Sequence, residues 1–363
     1  MSSWRECKLG DVAEVKTGKS NAQDSILNGI YPLFDRSQIV KQSNRFLFDD
    51  EAIIVAGEGK EFIPRYFSGK FDLHQRAYAV HKITQAIPKY IFYAIWANKE
   101  YFESVAVGST VMSLRLNHFT EFPLTLPPLE EQKEIAEVLS SLDDKIDLLH
   151  RQNRTLEELA QTLFRQWFVE EAKEEWEEKP LSKIADFLNG LACQKFPPEN
   201  DIDKLPVLKI KDLKDGISEN SDWVTSNVKP GYIVNNGDVI FAWSASLMVK
   251  IWDGKQCVLN QHLFKVTSKD FPKWFYYHWC KFHLDNFIAI SSAHATTMGH
   301  IKRGDLDEAM CMIPSDHELQ DMNEKMSPLI EKLENNSKQI KHLENLRDTL
   351  LPKLLSGEVR ISG

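Results

Sequence analysis

The sequence predicts two mixed α/β domains joined by two long antiparallel helices that form a coiled coil, with a pseudo-two-fold internal repeat. Three observations predict this fold class: a heptad pattern that occurs twice, a looser repeat of the globular sequence before each heptad stretch, and short β-rich runs separated by Gly, Pro, Asn and Asp. A chain of 363 residues that is 42% apolar and 27% charged is long enough for two domains with cores of their own.

The heptad pattern occupies residues 135–167 and again residues 322–354, with each position repeated 187 residues later. Its steps alternate between three and four residues, which is typical of coiled coils. Two ordinary amphipathic helices whose registers agree by accident are the alternative, and a register shared over about four to five heptads argues against it. The predicted seam residues are Ile135, Leu139, Leu142, Ile146, Leu149, Asn153, Leu156 and Leu163, and then Leu329, Leu333, Asn336, Ile340, Leu343 and Leu350.

Local signals indicate where the two helices begin. Pro127 and Pro128 end the first domain, and the acidic residues that follow complement the dipole of a helix predicted from about Leu129 to Val169. Ser315 followed by Glu318 predicts a capping box at the start of the second helix.

The second helix contains two prolines. Pro328 predicts an early break or kink, whereas Pro352 lies near the end, where a helix can stop. Gly357 is then expected to open a short strand-like tail, residues 358–361, that pairs with the first domain.

Asn153 and Asn336 each place a polar residue in the predicted seam. A polar residue at such a position fixes the register of a coiled coil at some cost in stability; an interfacial Asn that is merely tolerated is the alternative. Two equivalent domains joined by a long helix favour a two-fold axis with antiparallel helices and two similar surfaces in inverted orientation. Proteins that read paired DNA half-sites have this geometry.

The globular sequence repeats in order but not in spacing. The segment Leu9–Gly18 resembles Leu181–Gly190, and Leu73–Arg76 resembles Leu259–His262. Loops between equivalent elements diverge in length, so this drift is expected. The sequence therefore divides into a first domain at residues 1–128, a first helical spacer at 129–175, a second domain at 176–314, and a second helical spacer with a C-terminal tail at 315–363.

Each domain combines β-rich runs with one aromatic-rich helical segment. Strands are predicted at 52–55, 77–80, 232–234, 238–242 and 263–266, and helices at 89–105 and 272–290. We expect the aromatic residues of these helices to form core contacts, with base stacking as the alternative. They are Trp96, Tyr101, Trp274, Trp279 and Phe282.

The net charge of -9 is concentrated in the predicted helices. Residues 129–179 contain 15 acidic and 7 basic side chains, and residues 315–363 contain 9 and 7, so the two domains together are close to neutral. The overall acidity therefore does not exclude DNA binding.

Cysteine usage and hydropathy indicate an intracellular class of protein. Five single cysteines without a CxxC pair favour reduced thiols over disulfides or a Cys-based zinc site. No uncharged apolar run of about 18 residues occurs, and the N-terminus lacks an apolar signal region. We therefore expect a soluble, cytoplasmic protein with no membrane partner.

Catalytic motifs are largely absent from the sequence. No Walker A loop, HExxH, GxSxG or GxGxxG motif occurs. Glu58 and Lys60, with Asp49 or Asp50 upstream, resemble the acidic residues and lysine of metal-dependent nucleases. The flanking glycines predict a turn rather than a rigid strand, and the second repeat has Trp243–Ser246 at this place, so a nuclease is the weaker interpretation.

One helical segment contains a group of potential metal ligands. His278, Cys280 and His283 lie within six residues, but their spacing matches no strong zinc template. We expect a packed helix face there and no metal site.

Polar and basic side chains cluster in the loops of both domains. Arg, Lys, Gln and Asn read base edges, and Ser, Thr and Lys position phosphates, so these residues are candidate DNA contacts, with solvated surface as the alternative for each. The candidates are Lys19, Arg36, Gln38, Lys60, Arg65, Gln75, Arg76 and Arg115 in the first domain, and Lys195, Lys209, Lys211, Ser244, Asn260, Gln261, His262, Thr297, Lys302 and Arg303 in the second.

The sequence at the start of the first helix resembles a known family. The segment Leu126–Ala136 reads Leu-Pro-Pro-Leu-Glu-Glu-Gln-Lys-Glu-Ile-Ala and opens a long heptad helix after a small α/β domain. A second such unit follows, so the chain resembles the specificity subunit of type I restriction-modification systems over essentially its whole length. The second copy of the motif is degenerate, with Leu319 in place of the glutamine, and the end of the chain, Leu354–Ile361, again resembles these subunits.

The resemblance implies two target-recognition domains that each read one half of a bipartite asymmetric DNA site, with the helices setting the gap. It implies double-stranded DNA, two modification (methyltransferase) subunits and restriction (motor-nuclease) subunits as partners. S-adenosylmethionine, ATP and Mg are then expected on those subunits, and this chain is expected to be a non-catalytic recognition subunit that binds no cofactor. A standalone metal-dependent nuclease, or a coiled-coil DNA-binding scaffold of another complex, is the alternative.

Overall fold

The computed structural model describes residues 4–59, 61–218, 220–293 and 299–361. The contacts within the chain divide it into two compact units: unit 1 comprises Met1–Asp147 with His342–Gly363, and unit 2 comprises Leu148–Lys341. The dividing points fall within two long helices, because the parts of each helix pack into the core of the unit to which they belong.

Unit 1 is built from short strands and helices that precede the first long helix. Its strands are β1 Arg5–Lys8, β2 Glu14–Thr17, β3 Tyr31–Phe34, β4 Lys41–Ser43, β5 Phe48–Ala56, β6 Glu58–Gly59, β7 Arg65–Leu73, β8 Ala77–His81, β9 Met112–Ser113 and β10 Pro123–Leu126. Its helices are α1 Leu9–Val12, α2 Pro88–Ala97, α3 Lys99–Val105, α4 Leu116–Thr120 and the first part of α5, which spans Leu129–Arg165.

A mixed six-stranded sheet forms the centre of unit 1, in the order β2-β8-β5-β7-β3-β4. The pairing of β3 with β7 is parallel. Side chains of β5 alternate between the two faces of the sheet, as the period of a strand requires. Ile53 and Val55 belong to the core that contains α2, whereas Ala52 and Ile54 belong to a second cluster with Phe71. Both faces are covered, so the second half of β5 is apolar throughout.

Unit 2 contains the equivalent elements. Its strands are β11 Glu177–Pro180, β12 Asp186–Asn189, β13 Lys204–Leu208, β14 Trp223–Thr225, β15 Ile233–Val234, β16 Val239–Ala242, β17 Met248–Ile251, β18 Cys257–Leu259, β19 Leu263–Thr267 and β20 Met310–Ile313. Its helices are the last part of α5, then α6 Leu181–Ile184, α7 Ile210–Asp215, α8 Lys273–Phe282, α9 Leu284–Ala293, α10 Arg303–Glu308 and most of α11, which spans Asp316–Ser356.

Unit 2 divides its strands between two four-stranded sheets, in the orders β12-β19-β16-β17 and β14-β13-β18-β15. The single long strand β7 of unit 1 corresponds to β17 and β18, which a turn at residues 252–256 separates. The indole of Trp252 is buried and its Nε1 donates to the carbonyl oxygen of Lys255 at 2.9 Å, which fixes this turn. The parallel pairing of β13 with β18 matches that of β3 with β7.

The elements that the two units share occur in the same order. β1 begins at Arg5 and β11 at Glu177, an offset of 172 residues, whereas β10 begins at Pro123 and β20 at Met310, an offset of 187. The offset changes within the domains and is constant at the helices, as expected when loops vary and the helical register does not. The predicted mixed α/β class with an internal repeat is confirmed.

In unit 1, the long helices α5 and α11 run antiparallel. Arg347 of α11 donates from Nη1 to Oδ1 of Asp143 at 2.8 Å, and its guanidinium lies 4.9 Å from the ring centre of Trp96. Tyr93 of α2 donates to the other oxygen of Asp143. The aromatic helix is thereby tied to both long helices, and their seam residues share one core with the first domain.

In unit 2, the two helices again run antiparallel, and their polar seam residues meet. Asn336 donates from Nδ2 to Oδ1 of Asn153 at 2.9 Å, and Asn153 lies 3.4 Å from Oγ of Ser337. Nearer the start of α11, the predicted capping box is present, because the Glu318 carboxylate accepts the backbone N–H of Ser315 at 3.0 Å and Oγ of Ser315 accepts the backbone N–H of Glu318 at 3.4 Å. Hydrogen bonds from Lys173 and Ser315 lower the pKa of Glu318 to about 2.

The predicted seam residues of both helices are all buried or partly buried. The heptad pattern missed two further buried positions on α11, Ile330 and Leu351, which are 5% exposed, next to partly buried Leu329 and Leu350. A helix with about 3.6 residues per turn drifts relative to a 3.5-residue seam, so adjacent positions become buried where the helix also faces a domain.

The predicted break at Pro328 is wrong, because α11 continues without a break from Asp316 to Ser356. Proline removes one helical hydrogen bond, but Pro328 is exposed and water can satisfy the freed carbonyl oxygen. Burial of the flanking Met326 and Ile330 offsets the loss. The helix ends at Gly357, whose φ of +72° is the left-handed conformation that glycine favours at this position.

The predicted strand at residues 358–361 is also wrong. The described part of this tail is irregular, although Ile361 packs against the core of unit 1 and Arg360 lies 3.9 Å from Glu131. Among the aromatic residues predicted to form core contacts, Trp274 and Trp279 are buried and Trp96 and Tyr101 pack against the core. Phe282 is not part of the buried core, because it is 47% exposed.

The cysteines are all unpaired thiols, as expected, and four of the five are buried. In the part of the chain that the structure describes, no helix has the length and apolar character needed to cross a membrane.

Candidate nucleic-acid interface

The two units place a polar cluster at the same position of their sheets. In unit 1, β5 pairs with β8 so that Ala56 faces Ala77, which brings Glu58, just after β5, close to Arg76, just before β8. In unit 2, β16 pairs with β19 so that Ala242 faces Leu263. Ser244 and His262 are thereby brought together in the same way, so the sequence repeat places equivalent positions at equivalent sites.

The first polar cluster consists of Arg36, Glu58, His74 and Arg76. Nη1 of Arg76 donates to both carboxylate oxygens of Glu58, at 2.7 and 2.8 Å, and Nη1 of Arg36 donates to Oε2 at 3.0 Å. The Glu58 side chain is 15% exposed, whereas those of Arg76 and Arg36 are 55% and 49% exposed. Two arginines therefore project to solvent around one enclosed carboxylate.

The charges of the first polar cluster are coupled. Hydrogen bonds from Arg76 and then Arg36 lower the pKa of Glu58, and the bond to Glu58 raises the pKa of Arg76. Burial, followed by the nearby charge of Arg36, lowers the pKa of His74. The cluster thus carries one net positive charge, and Nδ1 of His74 accepts the backbone N–H of Arg76 at 3.0 Å.

Hydrogen bonds from Arg65 hold the loop that carries Arg36. Arg65 donates from its two terminal nitrogens to the carbonyl oxygens of Ser37 and Asp35, each at 3.0 Å, and its guanidinium lies 4.9 Å from the ring centre of Phe34. Arg65 is therefore used within the protein. Its role at this place is to shape the loop around Arg36.

A second framework orders the loop that begins at Lys19. Oδ2 of the buried Asp72 accepts from Oγ of Ser20 at 2.6 Å and from Oγ of Ser43 at 3.0 Å. Arg45 donates to Ser20 at 2.9 Å and lies 3.3 Å from Asp72. Gln75 reaches this loop through a 2.6 Å hydrogen bond to Oδ1 of Asn21.

The second polar cluster consists of Asn189, Trp243, Ser244, Gln261 and His262. Oγ of Ser244 lies 3.1 Å from Nδ1 of His262, and Nε2 of Gln261 lies 3.4 Å from Nε2 of the same imidazole. Trp243 donates from Nε1 to Oδ1 of Asn189 at 3.2 Å. Hydroxyl, amide and ring groups replace the ion pair of the first cluster.

The remaining candidates have more varied surroundings. Arg115 and Lys302 occupy matching N-cap positions of α4 and α10, 187 residues apart, and Lys209 is paired with Asp222. Asn260 is buried, and its Oδ1 accepts the backbone N–H of His262 at 3.4 Å. The other candidates are exposed and are Lys19, Gln38, Lys195, Lys211 and Arg303. Lys60 and Thr297 lie outside the described residues.

Sequence reasoning missed four members of the two clusters: Glu58 as an interface residue, His74, Asn189 and Trp243. His74 lies within the repeated segment Leu73–Arg76, and Asn189 lies within the repeated segment Leu181–Gly190. A Cβ atom on Gly18 would lie 1.8 Å from the carbonyl oxygen of Leu73, and a Cβ atom on Gly190 would lie 2.2 Å from the carbonyl oxygen of Asn260. This matched glycine pair was the available signal, because it brings β2 and β12 up to the loops that carry both clusters.

The nuclease arrangement is not assembled in the structure. Asp49 and Asp50 lie at the opposite end of β5 from Glu58, roughly 26 to 30 Å along the strand at ~3.3 Å per residue. Asp50 lies 3.2 Å from the His81 ring, and Asp49 lies 4.0 Å from Lys70. Because the Glu58 carboxylate is bonded to two arginines, it is poorly placed to bind a metal ion.

The helical group of potential metal ligands is packed, as predicted. His278 is buried against the ring of Phe164, Cys280 is fully buried, and Nε2 of His283 bonds to the carbonyl oxygen of Met310 at 2.9 Å. Across the described residues, no group of three or more His, Cys, Asp or Glu side chains has an arrangement that could hold a metal ion.

Comparison with known proteins finds relatives along the whole chain. The family model of the type I restriction modification DNA specificity domain matches residues 1–158 and 173–345. The type I restriction enzyme MjaIX specificity subunit of Methanocaldococcus jannaschii is 29% identical over 302 residues, which cover 76% of this chain and 70% of that protein. The MjaVIII specificity subunit of the same organism is 20% identical, over 99% of this chain and 93% of that protein.

A solved structure has the same fold. The crystal structure of the S subunit of a type I restriction-modification system from M. genitalium superposes with a TM-score of 0.65 at 18% identity, and the match covers 97% of this chain and 96% of that one.

Proposed function

Because the chain belongs to the type I restriction-modification DNA specificity family, we propose that it reads a bipartite, asymmetric site in double-stranded DNA. The first domain reads one half-site with the first polar cluster, and the second domain reads the other with the second polar cluster. The chain acts as a non-catalytic recognition subunit in the cytoplasm.

One observation carries this proposal: the two clusters occupy equivalent places but differ in chemistry. Arginine donates two parallel hydrogen bonds to guanine, whereas Ser, Gln and His combine donors and acceptors. To read two different half-sites, the two domains need equivalent backbone positions that carry different side chains. Of the predicted contacts, we retain Arg36, Gln75, Arg76, Ser244, Gln261 and His262 as base readers, and we assign Arg65 and Asn260 to support.

Exposed lysines and arginines of both units supply contacts to phosphates. Lys19, Lys195, Lys211 and Arg303 are exposed, and a lysine serves as a point charge for phosphate rather than as a reader of bases. Lys60, Arg115, Lys209, Thr297 and Lys302 remain proposed contacts of the same kind.

We assign the helices α5 and α11 two roles, setting the gap between half-sites and docking two methyltransferase subunits. The acidity of the helical segments fits a protein-facing or solvent-facing surface better than a DNA contact. Restriction subunits join the same complex. S-adenosylmethionine, ATP and Mg bind those partner subunits.

Methylation mapping tests the proposal. The full chain is co-expressed with its neighbouring methyltransferase subunits in a host without other methylation, and methylated positions are read by long-read sequencing. We expect one motif with two unlike specific halves and a fixed unspecified gap, and no methylation from this chain alone. A continuous motif, or methylation or cleavage by the isolated chain, contradicts the proposal.

A further inference from the structure

We propose that Glu58 is a positioning residue that orients Arg76 to read a guanine in the first half-site, an inference that rests on the proposed function. The carboxylate holds Arg76 through Nη1 alone, at 2.7 and 2.8 Å. Within the described part of the chain, the Nε and Nη2 groups of Arg76 have no hydrogen-bond partner. The edge of the guanidinium that carries Nε and Nη2 therefore faces outward as a ready pair of donors.

This edge matches one base. Two parallel N–H groups fit the O6 and N7 acceptors that guanine presents in the major groove. A free arginine loses side-chain entropy when it is ordered at an interface, and a guanidinium that is already held loses less. Glu58 can hold Arg76 in this way because its own side chain is enclosed and is fixed from the other side by Arg36.

The fold itself does not require this ion pair. Unit 2 builds the same junction between β16 and β19 with Ser244 and His262, whose 3.1 Å hydrogen bond involves no carboxylate. Glu58 is therefore not needed to close this junction, and its enclosed carboxylate, which bonds to two exposed arginines, is placed to direct them. The same outward edge also suits a phosphate, so the experiment must separate base reading from backbone binding.

The test uses the full chain in complex with its methyltransferase subunits and compares the methylated motif of wild type with that of Glu58→Gln, Glu58→Asp and Arg76→Ala. Glutamine has nearly the shape of glutamate but lacks the charge that holds two arginines. We expect Glu58→Gln to reduce the preference for guanine at one position of the first half-site by about tenfold. Arg76→Ala should relax the same position, and Glu58→Asp should retain most of the preference.

Two internal controls accompany the variants. The gap and the second half-site should be unchanged in all of them, and Glu121→Gln, which removes a carboxylate paired with Lys8 elsewhere in unit 1, should leave the whole motif unchanged. Thermal unfolding followed by circular dichroism establishes which variants are folded. If Glu58→Gln does not fold, the methylated motifs of Glu58→Asp and Arg76→Ala are compared instead.

Three results would overturn the inference. The first is an unchanged motif in folded Glu58→Gln while Arg76→Ala relaxes the motif. The second is an equal loss of methylation at all sites, which identifies a phosphate contact. The third is a relaxed position that is not a guanine. Failure of the proposed function itself is distinct, because the wild-type complex would then yield no bipartite motif.

Discussion

Glu58 and Ser244 show how one residue sets the chemistry of a shared frame. Both follow the central strand of their unit, and both bond to the residue that precedes the next paired strand. With a carboxylate at this position, the partner is an arginine whose remaining donors face solvent. With a hydroxyl, the partner is an imidazole that donates or accepts according to its tautomer. Under the proposed function, this difference changes the bases that each unit favours, while the strand pairing at the junction is the same in both units.

His278 is a single residue that couples stability to pH. Burial, with a smaller contribution from Lys281, lowers the pKa of His278 to about 3. Its Nε2 has no hydrogen-bond partner in the described structure. Below a pH of about 6.5 the unfolded chain binds a proton at this histidine that the folded chain does not bind until about pH 3, so stability falls as the pH falls through this window.

We therefore predict that His278→Phe reduces the acid sensitivity of unit 2. Phenylalanine keeps the contact with the Phe164 ring and cannot bind a proton. Between pH 7.5 and 5.0, the wild type should lose about 2 kcal/mol more unfolding free energy than the variant. Urea unfolding followed by tryptophan fluorescence measures this difference. His317→Gln, at an exposed position of α11, is the control and should behave as wild type; equal losses in His278→Phe and wild type would contradict the prediction.

At the scale of elements, we propose that the paired asparagines of α5 and α11 set the register of the two helices in unit 2. Asn336 is 1% exposed and bonds to Asn153. Its Oδ1 atom is buried without a partner in the described structure, which is a cost that an apolar seam would avoid. A polar pair kept at such a cost is typical of positions that specify register.

Single and double replacements of the asparagines separate the stability cost of the buried polar pair from its effect on the register of the helices. Asn153→Leu should lower the unfolding free energy by about 1 to 3 kcal/mol, because the Asn336 amide is left buried and unpaired. Asn153→Leu with Asn336→Leu should restore or exceed the stability of the wild type, because a well-packed apolar pair replaces a buried polar one. Urea midpoints measure both effects.

The double variant is also predicted to methylate sites with more than one gap, since the seam no longer excludes a slipped register. A single fixed gap in the double variant would show that the asparagines are only tolerated.

At the scale of the whole molecule, the helices are proposed to act as a ruler, and their length can be changed without touching either cluster. Deleting residues 145–151 of α5 and 338–344 of α11 removes one heptad from each helix and keeps Asn153 opposite Asn336. The helical segment becomes roughly 10 Å shorter at 1.5 Å per residue. We expect the gap in the methylated motif to shrink by about 3 base pairs at ~3.4 Å each, with both half-sites unchanged.

Insertion of one heptad at the same two places should lengthen the gap by the same amount. Deletion from α5 alone is the matched control, because it misaligns the seam and should abolish specific methylation rather than shift the gap. An unchanged gap in the paired deletion would refute the ruler.

The pattern of the sequence was sufficient for the features that depend on periodicity. A 3.5-residue repeat determines a buried seam wherever it lies, so the helices, their antiparallel pairing and the α/β repeat followed from the heptads and the matched segments. Pro328 misled this reasoning, because local helix propensity is overridden when the flanking Met326 and Ile330 are buried.

By itself, the sequence determined the fold class, the internal repeat and the residue types available for DNA, because these depend on spacing and composition along the chain. Only the tertiary structure decided which polar residues meet. Arg36, Glu58 and Arg76 are separated by 18 to 40 positions and are joined by the register of paired strands. Arg65, with the same chemistry, is turned inward to the loop carbonyl oxygens. The strand or loop that carries each residue sets the direction of its side chain. The number and order of charged residues along the chain do not give that direction.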